Sequence, residues 1–297
     1  MRAIDVDPHL LEKHAKLSVR AGEEGWRHMA AEIVGEIPNL MTTLCPQGPY
    51  AYTIMPQVFP DGRVKSPIIT TREEIEKAYI EVRGRSWIHA SEALIEIRAP
   101  WYQFTESVST SQVKGQDKIN FNHLITLFPL GSGGGITGEL VWVKVPRALM
   151  GTGPIFNGSS ADELTLRRQL LALHDTYMRA LADNNAAAVV ATFADGAQAA
   201  IRDFVAETGT LVALEGADAN AEFYIALFQK FEFLSVALLQ RAVQDWYVFA
   251  ELRLIVRLRA TGETLVFHTA EFFIPGKDGR FIIRVGHGTD PATATAE

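Results

Sequence analysis

The six residues WYQFTE at positions 101–106 recur as WYVFAE at positions 246–251, a separation of 145 residues (246 − 101 = 145). Self-similarity at a fixed separation indicates a repeated structural unit, so the chain is expected to contain two copies of one fold. Upstream, the pattern of Leu11 and His14 recurs 160 residues later, which predicts about fifteen extra residues in the first copy, within the loop 46–67. The same 145-residue separation relates the pairs Tyr79/Tyr224, His123/His268, Phe128/Phe273 and Gly131/Gly276.

Composition narrows the class of protein. The 297 residues are 47% hydrophobic and 21% charged, enough for two domains with full cores. The net charge of -7 argues against nucleic acid as a partner, because phosphate binding needs a basic surface. The single cysteine, Cys45, allows no internal disulfide. The charged N-terminus does not resemble a signal peptide and no apolar run approaches a membrane span, so a cytoplasmic protein without a membrane partner is expected.

The order of predicted elements places the chain in the α+β class. In each copy, helical spacing is followed by short strands, a third helix and four longer strands with turn signals between them. The predicted domains are residues 1–150 and 161–297. A Gly-, Pro- and Ser-rich linker at 151–160 joins them.

Two stretches carry a family resemblance: LHDTYMRALADNNAAAVVATFADGA at 173–197, and HASEALIEIRAPWYQF at 89–104. With the element order, they resemble the nuclear transport factor two-like superfamily, also called SnoaL-like or ketosteroid isomerase-like. The resemblance implies two tandem cones, each a curved, mostly antiparallel sheet around three helices and an apolar pocket. Since relatives pair sheets back to back, it also implies a pseudo-dimer within the chain. Further homo-oligomers remain open.

Turn positions predict which strand residues share a face. If Ala99-Pro100 and Gln116-Asp117 are two-residue turns, cross-strand partners sum to 199 and 233, and His89, Thr110 and His123 form one row. We predict that His89 and His123 are catalytic. The same, largely apolar face is the expected pocket wall, and Thr110 would bind substrate there together with Tyr102, Phe104 and Glu106.

The second copy offers a weaker pocket, with His174, Tyr177, Glu251 and His268 as candidates. The opposite sheet face, with Trp246, Val248, Leu252 and Leu254, is the predicted pairing surface. In dehydratase-like relatives a strand histidine works with a tyrosine and an aspartate of the first helix. The resemblance matches His89 and Tyr177 to two of these, whereas the aspartate position holds Ala182. No set of paired acids with a tyrosine is visible, and the first pocket is favoured.

Other features have less specific interpretations. His14 either lines the pocket or packs the helix. Tyr50 and Tyr52 either close over the substrate as a lid or pack locally. The glycine-rich stretch 131–135 lacks a phosphate-loop Lys and is a predicted turn. The histidines lack carboxylates at metal-ligand spacing, so neither a metal nor a cofactor is expected.

Two functions fit these patterns. The first is a cofactor-independent lyase or isomerase acting on a hydrophobic, ring-containing alcohol or ketone, such as a lignin-derived or other aromatic compound. Dehydration, deformylation and a double-bond shift are its candidate reactions. Histidine suits proton transfer because its pKa of about 6.5 lies near neutrality, so replacing His89 should abolish turnover. The second is a non-catalytic small-molecule-binding or assembly module.

Overall fold

The computed structural model describes residues 8–53, 57–58, 64–65, 67–144, 163–276 and 278–293. Of these, 8–53 and 67–144 form one compact unit, and 163–293 with the short strands Gln57–Val58 and Val64–Lys65 form the second. The predicted linker 151–160 lies outside the described residues, as do positions 54–56, 59–63 and 66 of the loop 46–67. No described helix is long and apolar enough to cross a membrane.

The first unit begins with a long helix and ends with a sheet. Helix α3 is capped by Thr71, whose side chain accepts from the Glu74 amide. In chain order the elements as far as β8 are α1 Pro8–Val34, α2 Ile37–Met41, β1 Ala51–Thr53, β2 Gln57–Val58, β3 Val64–Lys65, β4 Ile68–Ile69, α3 Arg72–Arg85, β5 Ser86–Ala99, β6 Tyr102–Val113, β7 Ile119–Pro129 and β8 Gly138–Val143. Of these, β2 and β3 belong to the second unit.

The second unit repeats this order. Asn185 caps the short helix α5 through the Ala188 amide. The elements are α4 Glu163–Ala182, α5 Ala186–Val190, β9 Phe193–Arg202, β10 Leu211–Glu215, α6 Gly216–Lys230, β11 Phe231–Val243, β12 Val248–Leu258, β13 Thr264–Pro275, β14 Phe281–Gly288 and β15 Ala292–Thr293.

The two sheets have one topology. Their strand orders are β4-β1-β8-β7-β6-β5 and β10-β9-β14-β13-β12-β11, with β15 paired to β13. One pair in each is parallel, β1 with β8 and β9 with β14, and the others are antiparallel. The predicted α+β class and the duplication are therefore confirmed.

The first helix differs from the prediction. Glycine disfavours a helix interior, so a break between two helices is expected near Gly22 and Gly25, but α1 is continuous through both. At Gly25 an added Cβ would lie 1.6 Å from the Gln103 side chain. These glycines do not break the helix, and Gly25 allows it to approach strand β6 closely.

The register of the repeats also corrects the prediction. Thr43 donates to the carbonyl of Leu40, and Thr192 donates to that of Val189, so the helical regions correspond at 149 residues (192 − 43). The first copy thus holds four extra residues (149 − 145), not about fifteen. His14 and His174 are not equivalent; Tyr177 corresponds to His28 (177 − 149).

The inner face of each sheet is the opposite of the one expected. Gln103, Thr105 and Ser107 are buried on the side of β6 that faces α1, whereas the other side, with Tyr102, Phe104 and Glu106, was the expected pocket wall. In the second unit Val248, Leu252 and Leu254 pack into that unit's own core instead of forming a pairing surface. Polarity misled the prediction because both sheet faces are largely buried, so alternation does not distinguish inside from outside.

Candidate functional site

A cavity of about 170 Å³ opens in the first unit between helices α1 and α3 and the inner sheet face. Its wall is mainly apolar, with six small uncharged polar residues on the strands: Thr53, Ser86, Ser109, Ser111, Asn122 and Thr126. Four side chains give it chemistry: Glu32 of α1, Tyr52 of β1, Tyr79 of α3 and Glu139 of β8. The apolar members include Met29, Ile69, Ile75, Ile88, Leu124 and Val141.

A chain of hydrogen bonds runs from this wall into the protein. The Tyr79 hydroxyl donates to Glu139 Oε2 at 2.7 Å and lies 3.0 Å from Nε2 of His28. The His28 side chain is fully buried, and its Nδ1 lies 2.6 Å from Oγ1 of Thr43. The cavity is thereby connected through Tyr79 to a buried imidazole.

The number of available protons determines which group donates and which accepts in this series of hydrogen bonds. Thr43 uses its only proton on the Leu40 carbonyl at 2.6 Å, so it accepts from the Nδ1–H of His28. Tyr79 has one proton and two neighbours. Both contacts are hydrogen bonds only when a second proton resides on His28 Nε2 or on Glu139. The Tyr79 hydroxyl therefore couples a proton on Glu139 to one on His28.

A second carboxyl group stands close by. One ligand atom each from His28, Glu32 and Glu139 lies within 4.8 Å of the other two. Burial, reinforced by the nearby Glu139 charge, raises the pKa of Glu32 well above its ordinary value. Burial likewise raises the pKa of Tyr52, whose hydroxyl makes no hydrogen bond of normal geometry among the described residues and has only a weaker interaction with the Tyr79 hydroxyl. Glu32 and Tyr52 are thus both held as proton donors beside the cavity.

The predicted histidine row does not form. The β6–β7 partners sum to 231, as in Val108 with His123, and not to 233. A bulge at His89 separates the pairs Ile88/Ser111 and Ala90/Thr110, so Thr110 lies opposite Ala90 and Phe121. Instead of lining the cavity, His89 is exposed and contacts the Gln112 side chain at 3.1 Å.

The remaining predicted residues of the first pocket are divided between several places. Tyr52 lines the cavity, whereas Tyr50 donates to the Cys45 carbonyl at 2.7 Å and His14 is exposed on α1. His123 contacts Glu106 at 2.6 Å on the outer sheet face. Outside the cavity lining, that same face of β6 carries Tyr102 and Phe104, both buried, and Thr110, which is partly exposed.

The equivalent region of the second unit is filled. Its cavity is about 20 Å³, room for about one water molecule. Arg284, in the register position of Glu139, donates to Glu271 at 2.9 and 2.7 Å and to the Tyr224 hydroxyl. Its guanidinium also lies 5.5 Å from the ring centres of Tyr177 and Tyr224.

The predicted second pocket is therefore not assembled as expected. Tyr177 does line the small cavity, and burial raises the pKa of its hydroxyl. His174 is buried against Phe273, with a ring separation of 5.3 Å. Glu251 and His268 contact each other at 3.2 Å and are not among the residues that line the cavity.

Sequence reasoning missed His28, Glu32, Tyr79 and Glu139. Two signals were present. His28 and Glu32 are separated by four residues in one helix, which puts them on one face. Tyr79 recurs as Tyr224, and at the same 145-residue separation the sequence position of Glu139 corresponds to that of Arg284. The carboxylate pair with tyrosines that seemed missing thus exists, because the fold unites residues far apart in sequence.

No family model and no curated protein matches the chain. Solved structures do match. A ketosteroid isomerase-like protein from Erwinia carotovora atroseptica is 18% identical, covering 42% of this chain and 97% of its own, with a TM-score of 0.35. A structure described as a SnoaL-like polyketide cyclase from Jannaschia sp. is 16% identical over 43% and 91%, with a TM-score of 0.36. An epoxide hydrolase of LEH type from M. tuberculosis is 14% identical over 41% and 84%, with a TM-score of 0.35. The chain is thus similar to structures of the superfamily that its sequence resembles, each over about two fifths of its length, and at these identities and TM-scores the similarity supports no statement about its activity.

Proposed function

We propose that the cavity of the first unit is the active site of a cofactor-independent isomerase or lyase. The observation that carries this proposal is the hydrogen-bonded chain from Thr43 through His28 and Tyr79 to Glu139, which ends in the cavity wall. A base at an apolar surface, connected to a second proton acceptor, is what general acid–base catalysis requires.

The wall also limits the substrate. No basic side chain is among the described residues that line the cavity, and two of them are acids, which disfavours an anion. An apolar cavity of about 150 Å³ holds one benzene ring, so a ring-containing ketone or alcohol fits the observed 170 Å³. A ring of a lignin-derived or other aromatic compound belongs to this class.

Each of these residues has a separate role in the proposed reaction. Glu139 removes a proton from the carbon next to a carbonyl group, and Tyr79 passes the charge change on to His28. Glu32 and Tyr52 donate hydrogen bonds to the oxygen that becomes negative, which is most effective away from water. Returning the proton to another carbon shifts a double bond, and delivering it to a leaving hydroxyl eliminates water.

Proton abstraction can be tested without knowing the natural substrate. The full chain is incubated in D₂O with acetophenone, cyclohexanone or 1-indanone, and loss of the proton signal next to the carbonyl is followed by NMR. We expect catalysed exchange with at least one ketone. Glu139→Gln and His28→Gln should slow it about 10²–10⁴-fold, the usual value of a general acid–base group. His123→Gln, which alters a His–Glu contact elsewhere, is the matched control.

Two outcomes count against the proposal. Exchange that survives Glu139→Gln unchanged would place the base elsewhere. Ketones that bind in the cavity, seen as NMR shifts that depend on Tyr52, without any exchange would favour the non-catalytic binding module.

A further inference from the structure

We infer that His28, Glu32 and Glu139 form a binding site for one divalent zinc ion per chain. This goes beyond the proposed function, which uses the zinc-free side chains: with zinc bound, Glu139 and His28 are ligands and do not act as base and proton relay. It also revises the expectation from sequence, since His28 and Glu32 do have the spacing of two ligands on one helix face. One ligand atom of each residue lies within 4.8 Å of the other two.

The distances suit tetrahedral coordination. Zinc binds histidine nitrogen and carboxylate oxygen at about 2.0–2.2 Å, so two ligand atoms of a tetrahedral site are about 3.4 Å apart. His28 Nε2 and Glu139 Oε2 are 3.5 Å apart. These two atoms could therefore share a zinc ion with little movement.

The surroundings of His28 match those of a metal ligand. A coordinating imidazole usually donates its other ring N–H to a protein oxygen, which fixes its tautomer and orientation. Thr43 provides that acceptor at 2.6 Å from Nδ1. The lone pair of Nε2 is consequently directed towards Tyr79 and Glu139.

A second observation points to the same place. The Tyr52 hydroxyl is buried, makes no hydrogen bond of normal geometry among the described residues, and belongs to a side chain that lines the same cavity as Glu32 and Glu139. Three protein ligands leave a fourth zinc position for water, and Tyr52 offers that water a hydrogen bond. Binding of the ion releases the Glu32 proton, and two carboxylates with one neutral imidazole then balance the charge of the ion.

The second unit is a control built into the chain. At the corresponding positions it holds Tyr177, Leu181 and Arg284, and the Arg284 guanidinium already pairs with Glu271 at 2.7 Å. These three side chains offer no histidine nitrogen or carboxylate oxygen to a cation. The stoichiometry should be one zinc per chain and not two.

Isothermal titration of the full chain with zinc chloride tests the site. We expect one ion per chain, loss of binding in His28→Gln and Glu139→Gln, and a Kd raised about 10–100-fold in Thr43→Val, as for other groups that orient a ligand. His123→Gln and Cys45→Ser should bind as the unchanged chain does.

Absence of binding, binding unchanged in His28→Gln, or binding lost in Cys45→Ser would each overturn the inference. If circular dichroism shows His28→Gln to be unfolded, Glu32→Gln decides, because it keeps the side-chain volume and removes one anionic ligand. Zinc binding by a chain that catalyses no ketone exchange when free of zinc would leave this inference standing and count against the proposed function alone.

Discussion

The two units share topology and strand register, yet one contains a cavity and the other a filled core. The difference lies in four corresponding positions. Where the first unit has Glu32, Tyr52, Thr126 and Glu139, the second has Leu181, Ala199, Glu271 and Arg284. The fold therefore supplies an interior between helices and sheet, and a few side chains decide whether that interior holds a ligand.

Charge pairing explains the contrast. In the second unit Arg284 and Glu271 neutralise each other, and the Tyr224 hydroxyl completes the cluster. In the first unit the carboxyl groups of Glu32 and Glu139 face a cavity without a basic lining residue among those described. Besides the Arg83 charge, which lowers the pKa of Glu32, protons or a metal ion would balance them in the two proposals made for this site.

The largest expected effect comes from breaking the ion pair of the second unit. Arg284→Met should destabilise the chain by about 3–5 kcal/mol, because it leaves the Glu271 carboxylate buried and unpaired. The double variant Arg284→Met/Glu271→Met should recover most of this loss. Urea denaturation measures both, and a single variant that costs less than about 1 kcal/mol would show that the cluster does not hold the core.

Acid should destabilise the second unit through two buried histidines. Burial lowers the pKa of His174 and of His287 to about 3, with Arg241 and Arg202 respectively contributing. Above pH 6.5 both imidazoles are neutral, folded or unfolded, and their stability contribution is intact. Between pH 6.5 and about 3 the unfolded chain binds protons that the folded chain refuses, so stability falls as pH falls.

The linked loss is about 2 kcal/mol for each histidine at pH 5. Urea denaturation at pH 7 and pH 5 measures it, and His287→Asn should remove about half of the difference. His9, which is exposed, provides the control as His9→Asn. An unchanged pH dependence in His287→Asn would refute the assignment.

Replacing the corresponding tyrosines of the two units should lower stability by different amounts. Tyr224→Phe removes a hydrogen bond to the buried Arg284 and should cost about 1.5–3 kcal/mol of stability. Tyr79→Phe leaves His28 and Glu139 3.5 Å apart and should cost less than about 1 kcal/mol, while slowing ketone exchange. Denaturation and exchange are measured on both variants, and equal stability losses would contradict the comparison.

The duplication and the fold class were predictable because the sequence repeats at a fixed separation and its periodicities change in the same order twice. The site was not, because its parts are set by register. The β5–β6 pairing has a bulge at His89, and the residue numbers of β6–β7 partners sum to 231 instead of 233. Both differences change the cross-strand partners that were predicted for the histidine row. Hydrophobicity did not distinguish the two faces of the sheet either. The polar Gln103 and Thr105 are buried on the inner face, and the apolar Phe104 is buried on the outer face.

Helix α1 shows why the remaining residues of the candidate site were not predicted. When His14 is aligned with His174, the two copies are offset by 160 residues. At that offset Tyr177 aligns with Leu17 (177 − 160) instead of with His28. The true offset of 149 depends on the Thr43 and Thr192 contacts, which only the folded chain reveals. Glu139 is more than a hundred residues from His28, and its role depends on the pairing of β8 with β1.

The smallest expected effect belongs to the residue that the sequence favoured most. His89 is exposed, sits on a bulge and contacts only the Gln112 side chain among its described hydrogen bonds. His89→Gln should change stability by less than about 0.5 kcal/mol, as for other exposed positions, and ketone exchange by less than about twofold. His28→Gln, the same change at the buried imidazole, should instead slow exchange about 10²–10⁴-fold. Exchange and thermal melts on the two variants place the reacting histidine, since the sequence-based row requires the reverse order of effects. If His89→Gln alone stops exchange, the cavity between α1, α3 and the sheet is not where the chemistry occurs.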